Sequence, residues 1–93
     1  MPHWPIDPPL LQGGNVARRD TFGREHRALI AKLVARRKAA GLTQWDLARK
    51  LKTDQSRISK LERGQRRLDI IEYVKICRAI GIDPGELLRT MRL

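Results

Sequence analysis

Polar side chains occupy one face of the segment from Asp54 to Gly64, whose sequence is DQSRISKLERG. If this segment is a helix with Ile58 and Leu61 facing inward, a rotation of about 100° per residue fixes the opposite face. That outer face carries Ser56, Ser59, Lys60 and Arg63, with Gln55 and Arg57 at its edges. A glutamine amide can make two hydrogen bonds to adenine, and a serine hydroxyl can bond either type of base edge. The pattern predicts a helix that contacts DNA bases. Its expected base-reading residues are Gln55, Ser56, Ser59 and Lys60.

Positively charged residues around this helix are suited to phosphate groups, because charge matters more than geometry in such contacts. They are Lys52, Arg57, Arg63, Arg66 and Arg67. The preceding helix begins near Gln44, and its first backbone amides can also meet a phosphate. Its neighbour Trp45 is expected on the surface, with packing against the first helix favoured over contact with the sugar–phosphate backbone.

The composition points to the same kind of partner. The chain has 93 residues, a formal net charge of +10 and an isoelectric point near 11.1. A basic excess of this size favours a polyanion, most often nucleic acid. The single cysteine, Cys77, excludes an intramolecular disulfide and a cysteine-cluster metal site. His3 and His26 lie far apart in the sequence without ligand-spaced neighbours, so no metal and no cofactor is expected.

Residues 1–20 differ from the rest, with four prolines among the first nine positions. Such a segment buries too little apolar surface to become ordered. We therefore expect a flexible N-terminal arm over residues 1–20 and a single DNA-binding domain over residues 21–93. The arm lacks the basic start and long apolar stretch of a signal peptide. No apolar run approaches the ~18 residues of a membrane span, so a cytoplasmic location without a membrane partner is expected.

Start and stop signals divide the domain into five short helices. The expected helices run from about Arg24 to Ala40, from Thr43 to Leu51, from Asp54 to Arg63, from Asp69 to Ile80 and onward from Asp83. Two of them begin with capping boxes, Thr43 with Asp46 and Asp69 with Glu72. Short helices with short connections predict a compact all-α domain, in which Lys52 and Thr53 form a tight turn between the second and third helices.

The apolar residues of the last two helices are expected to serve both the core and an interface. Cys77 falls in helical register with Ile70 and Tyr73, which predicts a small core residue and not a redox sensor. The C-terminal stretch has more apolar residues than a terminal helix needs. Its surplus, Leu88, Met91 and Leu93, is expected to form a two-fold interface. Ile71 and Ile76 lie off the main stripe of their helix and are candidates to join it.

These residues together resemble the phage-repressor-like (XRE, lambda-repressor-like) helix-turn-helix family. The resemblance is carried by Gly41-Leu-Thr-Gln44, Leu47-Ala48, Leu51, Gln55-Ser56, Ile58-Ser59, Leu61-Glu62, Gly64 and Gly81-Ile-Asp-Pro-Gly-Glu-Leu-Leu88. It implies a five-helix domain that binds operator DNA in a prokaryotic cell or phage, commonly as a homodimer. It also implies that Gln44 contacts a phosphate and that Arg37 and Glu62 form a partly buried ion pair. The turn departs from the family, because Lys52-Thr53 replaces the usual glycine and apolar β-branched residue.

Two functions from different classes fit this pattern. The first is a non-enzymatic, sequence-specific regulator of transcription, most simply a repressor, that binds double-stranded DNA as a homodimer. The alternative is an antitoxin that neutralises a toxin, with the arm as the segment available for that partner, and also regulates its own operon. An RNA-binding or coactivator-type module is a third interpretation, which a preference for duplex DNA over RNA would remove.

Overall fold

The computed structural model describes residues 22–91, so the predicted arm and Leu93 lie outside the described residues. Within this range the chain forms five α-helices and no strand. The helices are α1 (Arg24–Ala39), α2 (Gln44–Leu51), α3 (Gln55–Glu62), α4 (Ile70–Ile80) and α5 (Pro84–Arg89). The predicted all-α class is confirmed, and the helix ends agree closely with the start and stop signals of the sequence.

Capping side chains explain why the helices begin where they do. At α2 the Thr43 hydroxyl accepts a hydrogen bond from the Asp46 backbone N–H (3.0 Å), and the Asp46 carboxylate accepts one from the Thr43 N–H (2.8 Å). Asp54, Asp69 and Asp83 each accept a backbone N–H in the first turn of α3, α4 and α5. Each cap of this kind stabilises a helix by about 1 kcal/mol. These acids therefore position the elements that carry the interface.

The helices enclose an aliphatic core. The buried apolar residues are Ile30, Leu33, Leu47, Ala48, Ile58, Leu61, Tyr73, Ile76, Cys77 and Leu87. The Tyr73 hydroxyl donates a hydrogen bond to the Pro84 carbonyl oxygen (2.5 Å) and so ties α4 to the start of α5. Cys77 lies in the core as predicted, and burial raises the pKa of its thiol. No helix within residues 22–91 is long and apolar enough to cross a membrane.

The core-facing stripe of α4 includes Tyr73 and Cys77 as predicted but differs from the prediction at two positions. Ile76 is 1% exposed, whereas Ile70 is 63% exposed. The predictions that Ile76 lies off the main stripe and that Ile70 shares the register of Cys77 in the core are therefore wrong. The buried stripe follows Tyr73, Ile76 and Cys77 at helical spacing. Ile70 stands at the first position of the helix, beyond the end of the packed surface.

Candidate nucleic-acid interface

The turn between α2 and α3 has the shape expected from the sequence in spite of its unusual residues. Lys52 adopts a left-handed conformation (φ 58°), and no other non-glycine residue described has a positive φ. The Thr53 N–H donates to the Ala48 carbonyl oxygen at 2.9 Å and closes the turn. A lysine here costs about 1 kcal/mol relative to glycine, which a packed domain can bear. The turn therefore joins α2 and α3 into a compact pair.

The outer face of α3 is polar and positively charged. Its exposed side chains are Ser56, Arg57, Lys60 and Arg63. Ser59, which the helical spacing places on this face, is only 8% exposed, and its hydroxyl accepts a hydrogen bond from the Arg63 guanidinium. Ser59 is therefore covered by Arg63 and is not exposed, contrary to the expectation from its place on this face. Ser59 follows the buried Ile58 and lies at the border of the face, where the longer side chain of Arg63, one turn later, covers it.

A continuous chain of hydrogen bonds links α1 to the N-terminus of α3. The Arg37 guanidinium donates to both carboxylate oxygens of Glu62, at 2.7 and 2.9 Å. This pair is largely buried, with side-chain exposures of 7% and 11%. Glu62 also accepts a hydrogen bond from Nε2 of Gln44 at 2.7 Å. Oε1 of the Gln44 side chain in turn accepts one from Nε2 of Gln55 at 2.8 Å.

The consequence for Gln55 is a defined set of remaining hydrogen-bonding groups. A glutamine amide has two N–H donors and one carbonyl acceptor. Gln44 occupies one N–H of Gln55, which leaves one donor and the carbonyl oxygen. Adenine offers an N7 acceptor and an N6 donor in the major groove, and these match that remaining pair. Gln44 likewise keeps one N–H of its own for an outside acceptor such as a phosphate oxygen.

The connection from α3 to α4 is fixed by Arg66. Its Nε donates to the Arg57 carbonyl oxygen (3.1 Å), and its Nη1 and Nη2 donate to the two carboxylate oxygens of Glu72 (2.9 and 2.6 Å). The hydrogen bonds to Glu72 raise the pKa of Arg66. The guanidinium expected to bind phosphate thus has partners within the protein. The capping box predicted for Asp69 is only half formed, because the Glu72 side chain pairs with Arg66 instead.

Arg67, the next residue, leans on the start of α1. Its guanidinium lies 5.1 Å from the ring centre of Phe22, and this ring is 5.2 Å from the imidazole of His26. The His26 Nε2 accepts a hydrogen bond from the Leu68 backbone N–H at 3.0 Å. Burial and the nearby Arg67 lower the pKa of His26, which keeps its ring neutral and able to accept.

Sequence reasoning finds no ligand-spaced neighbour for His26 and missed this contact. The partner lies 42 residues away along the chain, and no local pattern announces it. Trp45 lies on the surface, as expected, and is 64% exposed in the first turn of α2.

Several apolar side chains remain uncovered on the single chain. Leu88 is 40% exposed and Ile71 is 61% exposed, while Met91 is partly exposed. Leu93, which was grouped with Leu88 and Met91 as an interface residue, is outside the described range. Leu87, their neighbour on α5, packs in the core. α5 thus anchors itself through one leucine and presents the next one to solvent.

Two helices joined by a tight turn, with a cationic, polar face on the second, define a helix-turn-helix DNA-binding domain. A family model described as helix-turn-helix matches residues 33–87. The chain belongs to the XRE family of helix-turn-helix proteins, a family of DNA-binding regulators.

Solved structures agree with this assignment. An XRE-family-like protein from Pseudomonas syringae pv. tomato DC3000 is 40% identical, with a TM-score of 0.70 over 84% of this chain and 92% of that one. The restriction-modification controller protein C.AhdI from Aeromonas hydrophila is 34% identical, with a TM-score of 0.60 over 69% and 99%. The clp gene regulator ClgR from Corynebacterium glutamicum is 27% identical, with a TM-score of 0.66 over 72% and 71%. No curated protein matches the sequence significantly.

Proposed function

We propose that this protein is a sequence-specific transcriptional repressor that places α3 in the major groove of duplex DNA. The observation that carries the proposal is the remaining donor and acceptor of Gln55, held at the N-terminus of α3 by Gln44. In this docking mode the N-terminal residues of the second helix contact base edges. A domain bound over a promoter excludes other proteins from that site, which accounts for repression.

The side chains divide into base and phosphate contacts. Gln55, Ser56 and Lys60 are assigned to bases, whereas Ser59 is left out because its hydroxyl is turned to Arg63. The residues assigned to phosphates are Gln44, Lys52, Arg57, Arg63 and Arg67. Arg66 is assigned to holding the connection in place through Glu72. Phosphate contacts supply affinity for any sequence, so binding should weaken steeply as salt is added.

The repressor is further proposed to act as a homodimer on DNA. Leu88 and Met91 offer apolar surface on and just after α5, and Leu93 would extend it. Two-fold pairing through this surface would use the same residues on both copies. The two α3 helices would then meet half-sites about 34 Å apart, one turn of the double helix. Half-site spacing in selected DNA therefore tests the dimer together with the base contacts.

The experiment is selection of bound sites from random duplexes, followed by binding measurements on the selected site and on single-base changes. Gln55→Ala should relax preference at one position by about 1–3 kcal/mol. Arg63→Ala should weaken binding to all sequences similarly. Lys38→Ala, which removes an exposed charge from α1, serves as the control. Unchanged base preference in Gln55→Ala would refute the assignment of this residue.

The antitoxin alternative assigns partner binding to the arm at residues 1–20, which lie outside the described residues. It requires a small toxin that co-purifies with the full chain and separates from a chain truncated before Phe22. Recovery of such a complex would favour it, whereas selection of a defined operator with no bound protein would favour the repressor. Both functions use the same DNA-binding face, so the base-contact predictions apply to either.

A further inference from the structure

A groove runs between the C-terminal end of α2 and the outer face of α4. It consists of two adjoining depressions of about 230 and 550 Å³, which share Leu51 and Lys75 in their walls. The larger depression extends past Lys52 to Arg78 and Ala79. We call the whole feature the α2–α4 groove. Lys52 and Arg57 are also assigned above to phosphates, but no residue of the groove is assigned to bases, and Ile71, Lys75 and Arg78 have no assigned role in DNA binding.

The α2–α4 groove has a strongly cationic rim. The positive residues that line its larger depression are Lys50, Lys52, Lys75 and Arg78. None of these forms an ion pair within residues 22–91. No carboxylate lines the larger depression. Asp69 and Glu72 line only the smaller one, where Asp69 caps α4 and Glu72 pairs with Arg66. The rim therefore holds a concentration of unneutralised charge that an anionic ligand would complement.

The walls of the α2–α4 groove also contain apolar residues. Leu51 lies between the two depressions, Ala79 lines the larger one and Ile71 lines the smaller one. Ile71 is 61% exposed. A ligand that only presents phosphates would satisfy the rim and leave this apolar surface in water. A ligand with both carboxylates and aliphatic side chains would satisfy both parts.

The α2–α4 groove is set apart from the outer face of α3. Arg57 is the one residue of α3 that lines it, and this side chain is turned toward α4, with its Nε 4.0 Å from a Glu72 oxygen. Ser56, Lys60 and Arg63 line neither depression. A partner seated in the groove would therefore leave the exposed base-contacting side chains accessible.

We propose that the α2–α4 groove binds an acidic, amphipathic segment of a partner protein, with its aliphatic side chains on Leu51, Ile71 and Ala79. Its carboxylates pair with the cations of the rim, of which Lys75 is central because it borders both depressions. The proposal goes beyond DNA binding and does not depend on it. It gives the protein a second surface through which a DNA-bound copy can hold another protein.

The test uses a fluorescein-labelled synthetic helical peptide with leucines along one stripe and glutamates elsewhere, measured by anisotropy on the full chain. Lys75→Ala/Arg78→Ala should weaken peptide binding about fivefold, the scale expected from two solvent-exposed ion pairs. The control, Arg24→Ala/Lys38→Ala, removes the same charge from α1 and should change binding less than about twofold. Equal losses in the two double variants, or no peptide binding, would overturn the proposal.

A second experiment distinguishes the α2–α4 groove from the DNA-binding face. Backbone amide signals in NMR spectra should shift at residues 50–52 and 71–79 on addition of the peptide, and not at Ser56, Lys60 or Arg63. With a saturating duplex present, the peptide should still bind and form a ternary complex. Displacement of the peptide by DNA, or shifts confined to α3, would overturn the proposal. The peptide-binding measurements need no DNA, so their outcome does not depend on whether the protein binds a specific operator.

Discussion

Replacement of Arg37 by alanine should destabilise the domain more than any other single charge removal from α1. The side chain makes two hydrogen bonds to Glu62 and a third, from Nη1, to the Leu42 carbonyl oxygen at 2.7 Å. Arg37 as a whole is 6% exposed. Its removal leaves Glu62 charged, largely buried and supported only by the Gln44 amide.

The expected loss follows from the cost of leaving a buried charge without its partner. Removing one member of a buried ion pair costs about 3–5 kcal/mol. Glu62 retains one hydrogen bond and an 11% exposed side chain, so the lower end, about 3 kcal/mol, applies here. For a domain of this size, each kcal/mol lowers the melting temperature by about 4–8 °C. The melting temperature should therefore fall by about 12–24 °C.

Urea unfolding followed by far-ultraviolet circular dichroism measures this loss directly. Lys38→Ala is the matched control, because it removes an exposed charge from the same helix and should change stability by less than about 0.5 kcal/mol. The double variant Arg37→Met/Glu62→Leu should recover much of the loss, since no buried charge then remains. If Arg37→Ala unfolds within about 1 kcal/mol of the control, the ion pair does not hold α1 to α3 and the reasoning is wrong.

Three further predictions concern the turn, a cap and the contact at His26. Lys52→Gly should raise the free energy of unfolding by about 1 kcal/mol, because glycine adopts the left-handed backbone conformation of this position without strain. Denaturant titration measures the change, and a lower free energy of unfolding would contradict the turn geometry. The hydrogen bond from the Arg57 backbone N–H lowers the pKa of Asp54 in the folded domain. The stability that the Asp54 carboxylate contributes is therefore complete above its ordinary pKa near 4 and is lost as pH falls through the folded value. Asp54→Asn should make the free energy of unfolding less dependent on pH in that range. The pKa of His26 is also lowered, so protonation of its ring should destabilise the domain as pH falls below about 6.5. His26→Gln keeps an acceptor for the Leu68 N–H and should remove this pH dependence of stability. A variant with the same pH profile as the original protein would exclude the contact.

The sequence predicts the helices well because their boundaries are written locally. Thr43 and the capping aspartates begin helices through bonds that span three residues. The pair of Arg37 and Glu62 is different, since it joins positions 25 residues apart. Its expectation came from family resemblance and not from spacing or periodicity.

The errors fall on residues whose surroundings are decided by distant contacts or by side-chain size. Ser59 lies at the border of two faces, and only the position of Arg63 decides that its hydroxyl is covered. His26 lies in α1 and accepts a hydrogen bond from the backbone N–H of Leu68, which follows α3 in the sequence. Ile70 looks like a core residue by spacing, but the packed surface of α4 begins one turn later. Periodicity identifies a face and does not show where its contacts stop.

The linked amides of Gln44 and Gln55 limit how the DNA specificity of this protein can be changed. The side chain of Gln55 donates a hydrogen bond to Oε1 of Gln44, so a new residue at position 55 must also supply a donor for that oxygen. A lysine can do so, whereas a glutamate would place an acceptor against an acceptor. Lys60 has no such cross-helix bond among the described contacts, and the Ser56 hydroxyl bonds only its own cap, Asp54. Redesign of the target sequence should therefore vary Ser56 and Lys60 one at a time and treat Gln44 and Gln55 as a single unit.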